Sequence, residues 1–198
     1  MRLRGACIFL ALLLACTPVR AFELIPPQKT LFAFVGQFNK GTFPGWSMIP
    51  YATSMESNFL VGGAVDVQML RLAPFMTVGP EVGVAGRFGD QSSAEFWGGA
   101  NFRIIGIPIG NFVTITPAMT VGMSAVTRAI GKEREREIAY GGDATLLFYL
   151  GPELAFRFHA LPNVEFTLRT HHRSGLNGAL GKMDEAANAN VIGVRIPF

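Results

Sequence analysis

The sequence predicts an all-β fold: an antiparallel barrel of eight strands that crosses a membrane. Three observations predict it. Hydrophobic residues make up 49% of the chain and charged ones only 16%, yet no apolar run after the N-terminal segment is long enough for a spanning helix. Apolar residues recur instead at alternate positions, the period of a strand with two unlike faces. The opposite faces carry Gly, Ala, Thr and single charges, which suit a narrow, crowded interior better than a solvated surface. In hydrocarbon a strand must pair on both edges, so such strands close into a barrel. A soluble lipocalin-like barrel, with its apolar faces turned inward, is the structural rival.

The N-terminus reads as a targeting segment. Met1, Arg2, Leu3 and Arg4 form a basic start, Ile8 to Ala15 an apolar stretch, and Val19-Arg20-Ala21 a cleavage site. Residues 1–21 are therefore expected to be a signal peptide and 22–198 the barrel. A competing reading places a lipidated Cys16 after Leu13-Leu14-Ala15. Cleavage after Ala21 removes Arg2, Arg4 and Arg20, so 17 basic residues fall to 14, against 14 acidic ones. A neutral mature chain gives no electrostatic footprint for nucleic acid. Both cysteines, Cys7 and Cys16, lie in the leader, which excludes disulfides, thiolate catalysis and Cys-ligated zinc from the barrel.

The strands follow in order. The first, 30–38, sets Phe32, Phe34, Gly36 and Phe38 against Ala33, Val35 and Gln37, and a Gly/Pro-rich loop over 40–57 follows it. The second, 58–71, points Phe59, Val61, Val65, Val67 and Met69 outward and Gly62, Ala64, Asp66 and Gln68 inward. The third, 75–88, opposes Val78, Val82, Val84 and Phe88 to Gly79, Glu81, Gly83, Ala85 and Arg87. Strands over 94–104 and 111–125 continue the alternation, and the charged stretch 128–137 reads as an exposed loop. The sixth, 139–158, contains Pro152, where a bulge or a local edge is expected because proline donates no ladder bond. The seventh spans 163–174, a loop covers 175–187, and the eighth, 189–198, ends in Phe198. Short turns at one end and longer loops at the other are the pattern of an outer-membrane barrel with both termini in the periplasm.

The charges Asp66, Glu81, Arg87, Glu95, Arg103, Glu153, Arg157, Glu165, Arg169 and Arg195 all fall on the inner face. About eight strands enclose little lumen, so these are expected to fill the interior with ion pairs rather than line a channel. No His/Asp/Glu spacing suggests a metal, and no Gly-rich stretch reads as a phosphate loop. No cofactor is expected.

His172 and Ser174 stand apart. They share a strand face with Leu168 and Phe166, the face turned to lipid. A polar side chain there is costly unless it sits at the interface or performs a task. Serine is a weak nucleophile until a base takes its proton, and a nearby histidine can be that base. The histidine in turn needs an acid to orient it. Glu185 is the candidate, with Asp184 as the alternative. Backbone N–H groups around Gly175 to Asn177, and the Asn177 amide, are candidates for stabilising an oxyanion. The bland reading is an interfacial His and Ser at the end of a strand.

These residues carry a resemblance. His172-Arg173-Ser174, an acid shortly after it and a last strand ending in Phe198 look like the PagL family of lipid A 3-O-deacylases, eight-stranded outer-membrane barrels. Gly175 stands where that family usually has Asn. The resemblance implies esterase chemistry on the 3-O-linked acyl chain of lipid A, with Ser174 as nucleophile, His172 as base and Glu185 as its orienter. It also implies lipopolysaccharide and outer-membrane lipid as partners and the barrel assembly machinery during biogenesis, and it leaves a homodimer open. The rival function is a non-enzymatic surface barrel that works through its loops.

Overall fold

The structure, a computed structural model, describes residues 22–198 apart from Tyr51; the leader expected over 1–21 lies outside the described residues. Nine strands form: β1 (Glu23–Asn39), β2 (Met55–Ala73), β3 (Met76–Phe88), β4 (Ser93–Ile104), β5 (Ile107–Ile109), β6 (Val113–Val126), β7 (Leu146–Phe158), β8 (Glu165–Ser174) and β9 (Glu185–Pro197). Among the described residues one α-helix, α1 (Gly131–Tyr140), precedes β7, and a single 3-10 turn, Trp46–Met48, lies in the first long loop. Every pairing is antiparallel, each long strand pairs with its neighbours, β1 pairs with β9, and β4 pairs with β6. Eight long strands thus close on themselves, while the three-residue β5 only extends the edge of β6. Closure leaves no unpaired edge, as a barrel in hydrocarbon requires.

The alternation sorts the side chains as expected. Val61, Val82, Phe96 and Ile192 project from the wall and are more than half exposed, an apolar surface suited to lipid. The interior is a packed ionic core. Glu81 accepts two hydrogen bonds from Arg169, both at 2.8 Å, and one from Arg195 at 3.1 Å. Glu153 accepts from both arginines as well, and Arg195 also pairs with Asp66. Both guanidinium groups lie over the Phe32 ring, with Arg169 4.7 Å and Arg195 4.5 Å from its centroid. Glu81, Glu153 and Arg195 each meet more than one opposite charge in this lattice, and Asp66 meets Arg195.

Three local expectations are corrected. The charged stretch 128–137 is not an exposed loop, because residues 131–140 form α1 and Glu133 is buried beneath it. Glu133 pairs with Arg87 at 2.6 Å and with Arg173, and so closes the long-loop end of the barrel. Gly141 ends the helix in the left-handed conformation that favours glycine, so β7 begins at Leu146 rather than at 139. At Pro152 the expectation of a bulge or a local edge is met by the local edge. The β7–β8 pairs lapse beside it between Leu150↔His172 and Glu153↔Arg169, and the register resumes unshifted. The first strand also starts earlier than expected, at Glu23, and a register shift between Leu24 and Gln28 accommodates Pro26 and Pro27.

Candidate active site

Strand alternation places Phe166, Leu168, Thr170 and His172 on one outer face of β8. Phe166 and Leu168 are exposed as lipid-facing residues should be, but Thr170 and His172 are each only 4% exposed. What covers them is the first long loop, which folds down over the outside of the barrel. The Phe43 ring stacks on the His172 imidazole, with centroids 4.2 Å apart and planes 19° apart. The polar outer residues therefore lie under the chain's own loop rather than against lipid.

The loop is anchored by asparagines on the same outer wall. Asn190 Nδ2 donates to the Ser47 carbonyl at 2.8 Å, Asn39 Nδ2 donates to Asn190 Oδ1 at 3.0 Å, and Gln37 Nε2 donates to the Glu56 carbonyl at 2.8 Å. Asn188 Nδ2 donates to the Gly41 carbonyl at 2.8 Å and to Glu185 Oε1 at 2.6 Å. Glu185 Oε1 also accepts the Phe43 backbone N–H at 2.6 Å.

His172 Nδ1 lies 2.7 Å from Asn188 Oδ1. Because the Asn188 amide nitrogen is committed to two oxygen acceptors, its Oδ1 can only accept, and the hydrogen of a neutral imidazole is assigned to Nδ1. That leaves the lone pair on Nε2, the form of histidine that acts as a base. Glu185 is thus joined to His172 through Asn188, not directly as the sequence suggested. Glu185 opens β9 rather than lying in a loop, and Arg136 of α1 stands 3.8 Å from it. Asp184 is exposed and reaches none of this group.

Ser174, half-buried, ends β8 two residues beyond His172 on the same face; among the described residues its hydroxyl makes no hydrogen bond. The oxyanion candidates separate. The Gly175 N–H donates to the Asp184 carbonyl at 2.8 Å and is spent on the hairpin. A Cβ on Gly175 would come within 2.1 Å of the Met183 carbonyl oxygen, which accounts for glycine at that position. Leu176 and Asn177 follow in left-handed conformation, with φ of 52° and 55°, and both are exposed.

Below the loop the outer wall forms a groove of about 890 Å³. Val35, Val61, Ile192, Leu168 and Leu154 make its floor, Met48, Ile49 and Pro50 overhang it, and Thr170 and Asn190 lie at its polar edge. Sequence reasoning missed Phe43, Asn188 and Asn190. The signal present was Asn188-Ala189-Asn190, two amides on one face of a strand whose later outer residues are Ile192, Val194 and Ile196.

No protein-family model matches the chain, and no curated protein matches it. Solved structures do. Neisserial surface protein A (NspA) superposes with a TM-score of 0.53 at 9% identity, over 88% of this chain and 100% of that one. The N-terminal β-barrel domain of Pseudomonas aeruginosa OprF gives 0.48 at 9% identity, over 86% and 97%. The outer membrane enzyme PagL gives 0.49 at 10% identity, over 85% and 99%. What the likeness shows is the fold, a closed eight-stranded antiparallel barrel of the outer-membrane type.

Proposed function

We propose that this chain is an outer-membrane serine esterase that removes the 3-O-linked acyl chain from lipid A. The observation that carries the reading is the chain of hydrogen bonds from Glu185 through Asn188 to His172 Nδ1, which leaves Nε2 as the basic nitrogen, two residues along the same strand face from Ser174. With both termini in the periplasm, the site lies at the outer interface, at the depth of a glycolipid's ester bonds, and the groove beneath it accepts acyl chains. Ser174 Oγ attacks the ester carbonyl while His172 Nε2 takes its proton. The tetrahedral oxyanion is met by backbone N–H groups at Leu176 and Asn177. Collapse breaks the ester C–O bond, and the proton passes from His172 to the departing sugar hydroxyl. Water, activated by the same nitrogen, then releases the fatty acid and restores Ser174. The loop must lift from His172 for substrate to enter, a gating step of an ordinary kind.

One observation favours a second reading. His172, Asn188 and Glu185 all touch the first loop and help to hold it down, so the group also fits a loop anchor in a non-enzymatic surface barrel. Incubating the folded, purified barrel with lipid A in detergent separates the two. Release of 3-hydroxy fatty acid by the wild type and not by Ser174→Ala supports the esterase. Release by neither contradicts it and leaves the anchor; equal release by both contradicts Ser174 as the nucleophile.

A further inference from the structure

We infer that the barrel holds an oxyanion site in the vestibule at its terminal end, on the side opposite the candidate active site. A cavity of about 350 Å³ opens there between the strands. It is blind: the lattice of Asp66, Arg195, Glu81, Arg169 and Glu153 closes it inward. Four arginines, Arg71, Arg103, Arg157 and Arg195, line it against two carboxylates, Asp66 and Glu165.

The carboxylates are already engaged. Asp66 is bound by Arg195, Thr30 and Gln68, and Glu165 by Arg103 at 2.5 Å. Several guanidinium donors are not. The Arg103 side chain is 10% exposed, and its buried Nη1 lies 3.6 Å from Glu153 without a hydrogen bond. Arg71 pairs with Glu23 through Nη1 at 3.4 Å, but its buried Nε has no hydrogen-bond partner, and Arg157 makes no ion pair among the described residues. Buried N–H groups left without acceptors are rare in folded proteins and point to something that completes them. A planar guanidinium presents paired donors that match the oxygens of a phosphate, and three such groups lining one cavity, with Arg157 left without a carboxylate partner among the described residues, select a phosphate-like oxyanion. Gln28 of β1 and Thr116 of β6, from opposite walls of the barrel, supply neutral polar contacts. The chemistry is shared by free phosphate and by the phosphate of a phospholipid headgroup at the periplasmic surface.

Isothermal titration of the full chain, refolded in uncharged detergent, tests this with two probes: inorganic phosphate, and mixed micelles containing phosphatidylglycerol. The site predicts saturable binding of one oxyanion per barrel, weakened by about tenfold or more in Arg157→Gln and unchanged in Arg134→Gln on the opposite end. Should Arg157→Gln fail to fold, Arg71→Gln at the half-exposed rim serves in its place. Tighter binding of inorganic phosphate assigns the site to the soluble ion, and tighter binding of the micelles assigns it to the headgroup; both uphold it. No saturable binding of either probe, or binding unaffected by the arginine variants, overturns it.

Discussion

Phe43 lies flat on His172, with ring centroids 4.2 Å apart, so the side chain proposed as a base is roofed by the loop that would have to yield to a substrate. A stacked aromatic pair contributes about 0.5–1.5 kcal/mol beyond its buried area. Removing it shifts a lid equilibrium by roughly two- to tenfold. Phe43→Ala is therefore expected to raise the rate of lipid A deacylation by such a factor while leaving the heat-modifiable folded form intact on gels. A rate that falls would show that Phe43 positions His172 rather than covering it.

Asn188 is the joint between Glu185 and His172. Its removal frees the imidazole to adopt either tautomer and either ring orientation, so Asn188→Ala should lower kcat by about a hundredfold with little change in KM. Steady-state kinetics on a lipid ester in detergent reads both numbers. A change confined to KM would place Asn188 in substrate binding or loop docking instead.

Glu133 closes the long-loop end over Arg87 and Arg173, which the buried Glu95 also meets at 3.6 and 3.7 Å, and all four are essentially buried. Truncating one partner of such a group leaves uncompensated buried charge, at a cost of about 3–5 kcal/mol. Urea unfolding of Glu133→Ala in micelles should show a loss of that size. Glu135→Ala, on the same helix but exposed and paired only with Lys132, should change stability by less than about 1 kcal/mol.

The lipid-facing assignment makes a prediction of its own. Val82 sits midway along β3, 61% exposed, with its side chain on the outer wall. Val82→Arg should destabilise the barrel by about 2–4 kcal/mol in phospholipid vesicles, as a charge at mid-bilayer depth does. In a soluble barrel the same change would be nearly neutral.

Much of the wall was legible because period-two alternation is a local property. Val61, Val65, Val82 and Val84 declare the outer face within their own strands, and Asp66, Glu81 and Arg87 declare the inner one. That the inner charges would pair was also legible, since a narrow barrel has no water to spare for them. Which arginine meets which carboxylate was not, because Arg195 and Asp66 lie far apart in the chain and meet only on closure. The helix α1 was hidden by its charges. Lys132–Glu135 and Arg134–Glu137 are i,i+3 pairs that signal a helix, but charge density alone reads as a loop. Glu133 looks like its exposed neighbours until Arg87 and Arg173 are seen beneath it. At the candidate site, His172 and Ser174 could be found from two-residue spacing, and Glu185 from its place after them. Asn188 and Phe43 could not, because their roles depend on the first loop crossing to the outer wall of β8 and β9.

The most direct test of the central claim is mass spectrometry of lipid A from a Gram-negative host that makes either the wild-type chain or Ser174→Ala, with both barrels verified as folded in the outer membrane. The expected result is loss of one hydroxyacyl group from lipid A with the wild type and none with the variant. Intact lipid A from both strains, or the same loss from both, would contradict the assignment of Ser174 as the nucleophile of a lipid A esterase.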